Sequence, residues 1–231
     1  MRREQSVEEI SDGRKYHSED LVKIGTNGCL HCCDCCRMDA LIVLDPWDVY
    51  QLQKGVGQSL SALIGQTVRL EVIDGLIQPV LQMKDGICPY LDEAGRCRIH
   101  AYRPGICRLY PLGRSWEDRD FSYILQVHEC THCTGSKVKV KKWLQIPDLK
   151  RYEDYCRSWH GFLKQSQSLC GAGTGGQPGN AADNIRKIVC MQILEKCYLG
   201  NFEITEDFYP QFEDRLQSAR QSLGIMNHQR S

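Results

Sequence analysis

The sequence has no excess of charge of either sign and no long apolar run. Lysine plus arginine and aspartate plus glutamate each number 29, so the formal net charge at neutral pH is zero. Balanced charge removes the bulk attraction to nucleic acids or anionic membranes. No stretch is apolar for long enough to span a membrane, and the charged residues 1–20 do not resemble a secretory or transit peptide. We therefore expect a cytoplasmic protein with neither a membrane nor a nucleic-acid partner.

What the sequence has in excess is cysteine, with 14 in 231 residues. Five of them lie within one short segment, at Cys29, Cys32, Cys33, Cys35 and Cys36. A reducing compartment keeps thiols free, so a cluster this dense predicts metal coordination rather than disulfides. A chain of this length can bury a core without cross-links, which also argues against a disulfide scaffold.

The spacing of these cysteines suits a thiophilic metal. Two-residue spacers let neighbouring thiolates face one centre, as in zinc sites and in ferredoxin-type ligand runs. Adjacent thiols at Cys35 and Cys36 point in different directions on most backbones, so a polynuclear cluster or two nearby sites would use both better than one zinc ion would. Spacing alone leaves zinc and an iron–sulfur cluster both open, and the remaining alternative is a set of free, partly buried cysteines.

Two further segments offer ligands. Cys88 and Cys97 flank Asp92-Glu93-Ala94-Gly95, a turn sequence that would bring the two thiols together as in a metal knuckle. A strand with alternating apolar residues over 121–127 would deliver a second cluster at its end. That cluster contains His128, Cys130, His132 and Cys133. Each histidine is alternatively a polar residue outside the ligand set.

The remaining patterns predict an α+β fold, in which a small antiparallel sheet with cysteine-rich metal-binding loops is covered by helices. Predicted elements are a helix over 46–54, a short helix over 59–64, a hairpin over 68–83, a helix over 147–164 and helices ending at Gly200 and Gly224. The chain divides into a polar lead-in (1–24), a metal-binding domain (25–165), a glycine-rich linker or loop (166–180) and a helical segment (181–231). Cys156, Cys190 and Cys197 fall on core faces and are predicted to be structural.

The order of these motifs resembles the YkgJ-type cysteine-cluster family, the CxxCxxCC zinc- or iron-chelating domains. The resemblance rests on the first cysteine run, on Cys88-Pro89-Tyr90-Leu91 and on the Arg-Pro-x-x-Cys-Arg segment at 103–108. It covers about residues 25–133 and departs from the family pattern at Cys33 and Cys133. It implies eight metal ligands: Cys29, Cys32, Cys35, Cys36, Cys88, Cys97, Cys107 and Cys130.

Arg103 and Arg108 belong to the family-like segment. They would bind a cofactor or substrate through a carboxylate or phosphate, or would offset the negative charge of a thiolate-bound cluster. The alternative is a pair of arginines that anchor a proline-rich turn.

The chain more distantly resembles flagellin lysine N-methylases, which implies an iron–sulfur centre, S-adenosylmethionine as methyl donor and a protein substrate. Gly171, Gly173 and Gly176 follow a helix rather than a strand, so they do not predict a dinucleotide loop. Two hypotheses result: an iron–sulfur protein that supports methylation of protein lysines, and a zinc-binding structural or metal-handling module without catalysis. Eight matched cysteines with an adjacent pair favour the iron–sulfur centre.

Overall fold

The computed structural model describes residues 7–25, 33–38, 40–127, 129–130, 135–171 and 180–225. The helices are α1 (Val7–Ile10), α2 (Pro46–Val56), α3 (Leu60–Leu63), α4 (Gly105–Leu109), α5 (Val140–Leu144), α6 (Leu149–Gly171), α7 (Asn180–Ile193) and α8 (Phe208–Ser222). The strands are β1 (Leu21–Lys23), β2 (Val68–Ile73), β3 (Leu76–Leu81), β4 (Leu112–Glu117), β5 (Asp120–Leu125) and β6 (Lys137–Lys139). The strands pair antiparallel, which together with the helices confirms the α+β class.

The predicted hairpin is present as β2 and β3. Asp74 and Gly75 connect the strands with positive φ angles of 49° and 82°, which is the geometry that an Asp-Gly turn favours. Ile73 pairs with Leu76 next to the turn. The return strand ends at Leu81, two residues before the predicted end.

Helix α2 begins at the predicted residue for a local reason. The Asp45 side chain accepts a hydrogen bond from the Asp48 amide, and the Asp48 side chain accepts one from the Asp45 amide, which forms a capping box. Pro46 occupies the first turn, where its missing N–H costs no hydrogen bond. The Ser59 side chain caps α3 by accepting a hydrogen bond from the Ala62 amide.

The second half of the chain contributes an aromatic core. Helix α6 extends to Gly171, seven residues beyond the predicted end, and buries Tyr155 and Trp159 against α8. Tyr155 lies 4.6 Å from Phe212 between ring centroids, with the rings edge to face. Cys156, Cys190 and Cys197 are buried as predicted.

The spacing of Ile185, Ile188, Val189 and Ile193 predicts one buried apolar face on α7, and the structure buries only part of that face. Val189 and Ile193 are buried, whereas Ile185 and Ile188 are 43% and 58% exposed. The helix contacts α6, β3 and α8, and these neighbours cover a narrower stripe than the apolar residues occupy. After Ile193 the helix continues as a π turn over Leu194–Leu199.

The division into domains stays a prediction, because most of the glycine-rich segment, residues 172–179, lies outside the described residues. Within the described part of the chain, no helix has the length and apolar character needed to cross a membrane.

Candidate metal centre

Backbone hydrogen bonds join the first cysteine segment to the second. Cys36 lies at the end of a short 3-10 turn over Asp34–Cys36, which Cys33 enters with a left-handed φ of 62°. The Cys88 amide donates to the Cys36 carbonyl at 2.8 Å. This bond fixes Cys36 beside Cys88, although 52 residues separate them in the sequence.

The turn predicted between Cys88 and Cys97 is present. Leu91 and Cys97 form an antiparallel bridge, and the Asp92 carboxylate accepts the Arg96 amide at 2.7 Å inside the turn. The Leu91 amide donates to the Cys88 carbonyl at 3.1 Å. The turn therefore returns the chain so that Cys97 lies near Cys88.

The thiols of Cys35, Cys36 and Cys88 lie close enough together to shift one another's pKa. The Cys36 thiol interacts with both Cys35 and Cys88, and these hydrogen bonds lower the pKa of Cys35 and of Cys88 to about 7. The same hydrogen bonds, together with burial, raise the pKa of Cys36. The opposite directions of these shifts mean that Cys35, Cys36 and Cys88 are close enough to affect one another's ionisation.

Cys97 and Cys107 lie close enough to these three thiols for the charges of that group to affect the pKa of both. Burial raises the pKa of both thiols, and the charges of Cys88 and Cys35 raise them further. Several thiolates cannot ionise side by side without a compensating cation. The arrangement is thus one that a bound metal would stabilise, because metal binding replaces the thiol protons.

The donor set fits zinc or an iron–sulfur cluster by its chemistry, since thiolates select these metals. Among the described residues, no three histidine, cysteine or acidic side chains are close enough together to hold a metal ion. The predicted ligands Cys29 and Cys32 lie outside the described residues.

Cys33 and Cys130 have other surroundings. Cys33 Sγ accepts a hydrogen bond from Arg37 Nε at 3.4 Å, and a Cβ atom built on Gly95 would lie 3.5 Å from that sulfur. Cys130 follows Glu129, whose carbonyl accepts a hydrogen bond from the Tyr110 hydroxyl. The possible ligands His128, His132 and Cys133 lie outside the described residues.

Arg103 and Arg108, in the segment that carries Cys107, are buried, with 9% and 6% of their surface exposed. Arg108 donates to the carbonyls of Arg103, Gln145 and Ala101. Arg103 donates to the His100 carbonyl at 2.7 Å. These bonds tie the Arg-Pro-x-x-Cys-Arg segment to α5 and to the preceding turn. Binding of an external anion by either arginine stays a prediction.

The arginines also place positive charge near individual thiols. Arg98 lowers the pKa of Cys88 and Arg103 lowers that of Cys97, in each case as a smaller contribution than hydrogen bonding or burial. Burial lowers the pKa of Arg108 to about 10, and the nearby Cys107 opposes that shift. Guanidinium groups in these positions would offset the charge of a thiolate-bound metal.

Asp48 is a site residue that sequence reasoning did not assign. Its side chain is buried, with 3% of the residue exposed, and it accepts the Gly105 amide at 2.6 Å. Burial and the neighbouring Asp45 raise the pKa of its carboxyl group well above the usual value. Its sequence signal was the capping box, which predicts a helix start and not a contact 57 residues away.

The fold brings free thiols from three segments of the chain into one region, and two buried arginines lie in the third segment. This arrangement is typical of a metal-binding protein. Residues 28–157, more than half of the chain, match the CxxCxxCC family, described as "Putative zinc- or iron-chelating domain". The chain therefore belongs to this family, and the match extends past the predicted end at residue 133 into α6. No curated protein and no solved structure matches the chain.

Proposed function

We propose that this protein holds an iron–sulfur centre on its cysteine loops. The observation that carries the proposal is the number of thiols that converge. Cys35, Cys36, Cys88, Cys97 and Cys107 influence one another electrostatically or by hydrogen bonds. One structural zinc ion uses four protein ligands, so five described thiols are more than a single zinc site requires.

The adjacent pair supports the same conclusion. Cys35 and Cys36 interact with each other, and Cys36 also reaches Cys88. A cluster with several metal atoms accepts thiolates that arrive from different directions better than one ion does. The ligand set proposed is Cys29, Cys32, Cys35, Cys36, Cys88, Cys97, Cys107 and Cys130. The thiols are free among the described cysteines, which suits the reducing cytoplasm that we propose as its location.

Elemental analysis of protein purified without oxygen and without added metal tests the proposal. We expect iron and sulfide, with broad visible absorption that bleaches on reduction. Cys88→Ser should lose most of the iron. Cys190→Ser is the matched control, because Cys190 lies away from the cluster and a serine hydroxyl would meet the same Ile77 amide and Gly75 carbonyl. Colourless protein that carries only zinc would reject the iron–sulfur centre and favour the chelating module without catalysis.

The resemblance to flagellin lysine N-methylases adds a finer proposal, that the centre supports S-adenosylmethionine-dependent methylation of a protein lysine. This part rests on the resemblance alone. Calorimetric titration of the anaerobic protein with S-adenosylmethionine tests it directly. Binding at micromolar concentration would support a methyl-transfer role, and the absence of binding would reject that role while leaving the metal proposal intact.

A further inference from the structure

Asp48 connects two elements that no sequence motif joins. One carboxylate oxygen accepts the Asp45 amide at 3.1 Å and completes the capping box of α2. The other accepts the Gly105 amide at 2.6 Å. Both oxygens are engaged by backbone amides at a position where 3% of the residue is exposed. A buried carboxylate with such partners holds its neighbours in fixed positions, because releasing either amide would leave a buried polar group unsatisfied.

Gly105 begins α4, the five-residue helix that carries Cys107. Pro104 at the N-cap gives this helix no side-chain hydrogen bond, so the first amide is satisfied from α2 instead. A helix of this length forms few internal hydrogen bonds and depends on tertiary contacts for its position. Tyr152 closes the other side, since a Cβ atom at Gly105 would overlap its hydroxyl. Helix α4 is therefore held between Asp48 and Tyr152.

We propose that Asp48 is a positioning residue for the metal centre, which holds α4 so that the Cys107 thiolate faces Cys88 and Cys97. The inference rests on the proposed metal-binding function. Asp48 acts through Cys107, because its own oxygens are bonded to backbone amides. Loss of a residue that orients a metal ligand typically weakens metal binding about 10- to 100-fold.

Cobalt(II) titration of metal-free protein under anaerobic conditions tests this inference. The measured quantities are the cobalt affinity and the sulfur-to-cobalt charge-transfer absorption, which reports on the bound thiolates. We expect Asp48→Ala to bind cobalt about 10- to 100-fold more weakly and to lose part of the absorption, as Cys107→Ser does. Asp48→Asn keeps one carbonyl oxygen, so it should retain part of the cobalt affinity and part of the absorption. This variant also provides the test if Asp48→Ala does not fold.

Asp45→Ser is the matched control. Serine still caps α2, and the Asp45 side chain does not contact Gly105 among the described residues, so cobalt affinity should stay at the wild-type value. The double variant Asp48→Asn with Cys107→Ser should bind cobalt no more weakly than Cys107→Ser alone, because both changes act on one ligand.

The outcomes separate the two proposals. If folded Asp48 variants bind cobalt like the wild type while Cys107→Ser does not, the positioning role is overturned and the metal centre stands. Additive losses in the double variant would also overturn the role, since Asp48 would then act elsewhere. If Cys107→Ser binds cobalt as tightly as the wild type, Cys107 is not a ligand, and the positioning role is overturned. A wild-type chain that binds no cobalt would contradict the proposed thiolate centre itself.

Discussion

At the scale of single residues, Tyr110 links the two loops that flank the cysteine group. Its hydroxyl donates to the Glu129 carbonyl, next to Cys130, and lies 3.8 Å from Met38 Sδ. These two contacts join the segment after Cys36 to the segment before Cys130.

Tyr110→Phe should loosen the Cys130 segment. We expect a loss of about 1 kcal/mol from the missing hydrogen bond, which is roughly fivefold in metal affinity if Cys130 is a ligand. Hydrogen exchange at residues 129–130 should also become faster. Tyr102→Phe is the control, because the Tyr102 ring packs on Gly55 and its hydroxyl has no hydrogen bond in the described structure. Equal exchange in both variants would contradict the role given to Tyr110.

A second residue-scale prediction concerns the close approach of Gly105 and Tyr152. Gly105→Ala should destabilise the fold by about 1–3 kcal/mol, the usual cost of overpacking. Tyr152→Phe alone should cost about 1 kcal/mol, since the hydroxyl accepts a hydrogen bond from Arg114 at 3.1 Å. The double variant should cost less than the sum, because the phenylalanine removes the overlapping oxygen. Urea unfolding of the wild type, the two single variants and the double variant measures these losses of stability. If the losses of the single variants add up to that of the double variant, the overlap is contradicted.

At the scale of elements, replacing glycine by alanine should destabilise the protein in a hairpin turn and stabilise it inside a helix. Gly75→Ala should lower the free energy of unfolding by about 1 kcal/mol, because φ is 82° and alanine avoids that region. Gly161→Ala, inside α6, should raise it by about 0.5–1 kcal/mol through helix propensity. A Cβ atom meets nothing within 4 Å at either site. Urea unfolding measures both, and effects of equal sign would reject the backbone explanation.

The contact between β4 and α6 should be sensitive to acid. His160 stacks on Trp116 with ring centroids 3.7 Å apart, and burial, with a smaller effect from Lys164, lowers the pKa of His160 from 6.5 to about 4. The folded protein therefore binds fewer protons than the unfolded chain between these values. The stability from neutral His160 is present above about pH 6.5 and is lost as the pH falls towards 4.

His160→Phe keeps a ring for the stack and cannot be protonated. Between pH 7 and pH 4 the wild type should lose roughly 1–2 kcal/mol more stability than the variant, after allowance for the partial exposure of the histidine. Urea unfolding at several pH values measures the free energy of unfolding of both proteins. Taking the difference between the two proteins cancels the titration of the carboxylates that they share. Parallel pH profiles would mean that His160 is not shielded from water.

At the scale of the whole molecule, the metal should stabilise one part of the chain more than the other. The cysteine loops are joined by single hydrogen bonds such as the one from Cys88 to Cys36, whereas α6 and α8 share aromatic contacts. Removing metal should therefore loosen residues 25–133 before the C-terminal helices. Hydrogen exchange with and without a chelator measures the protection of the amides in both regions. Equal protection in the two regions after metal removal would contradict the prediction.

The fold was predictable wherever the determining interactions are local. Asp45 with Pro46, Ser59 and the Asp74-Gly75 turn each specify an element within a few residues, and the structure has each element at the predicted place. Helix α6 was predicted too short and the apolar face of α7 too wide. Helix ends and buried faces depend on the neighbours, and α7 leaves Ile188 exposed because nothing in the described fold covers it.

The sequence by itself determined the chemistry of this protein: cysteine spacing predicts a thiophilic metal, and the motif order identifies the family. Only the tertiary structure decided which groups meet. The bonds from Cys88 to Cys36 and from Gly105 to Asp48 cross 52 and 57 residues, and no local pattern encodes them. The spacing of residues in the sequence reflects interactions within a turn or a helix, whereas long-range contacts depend on how the completed elements pack around the shared core.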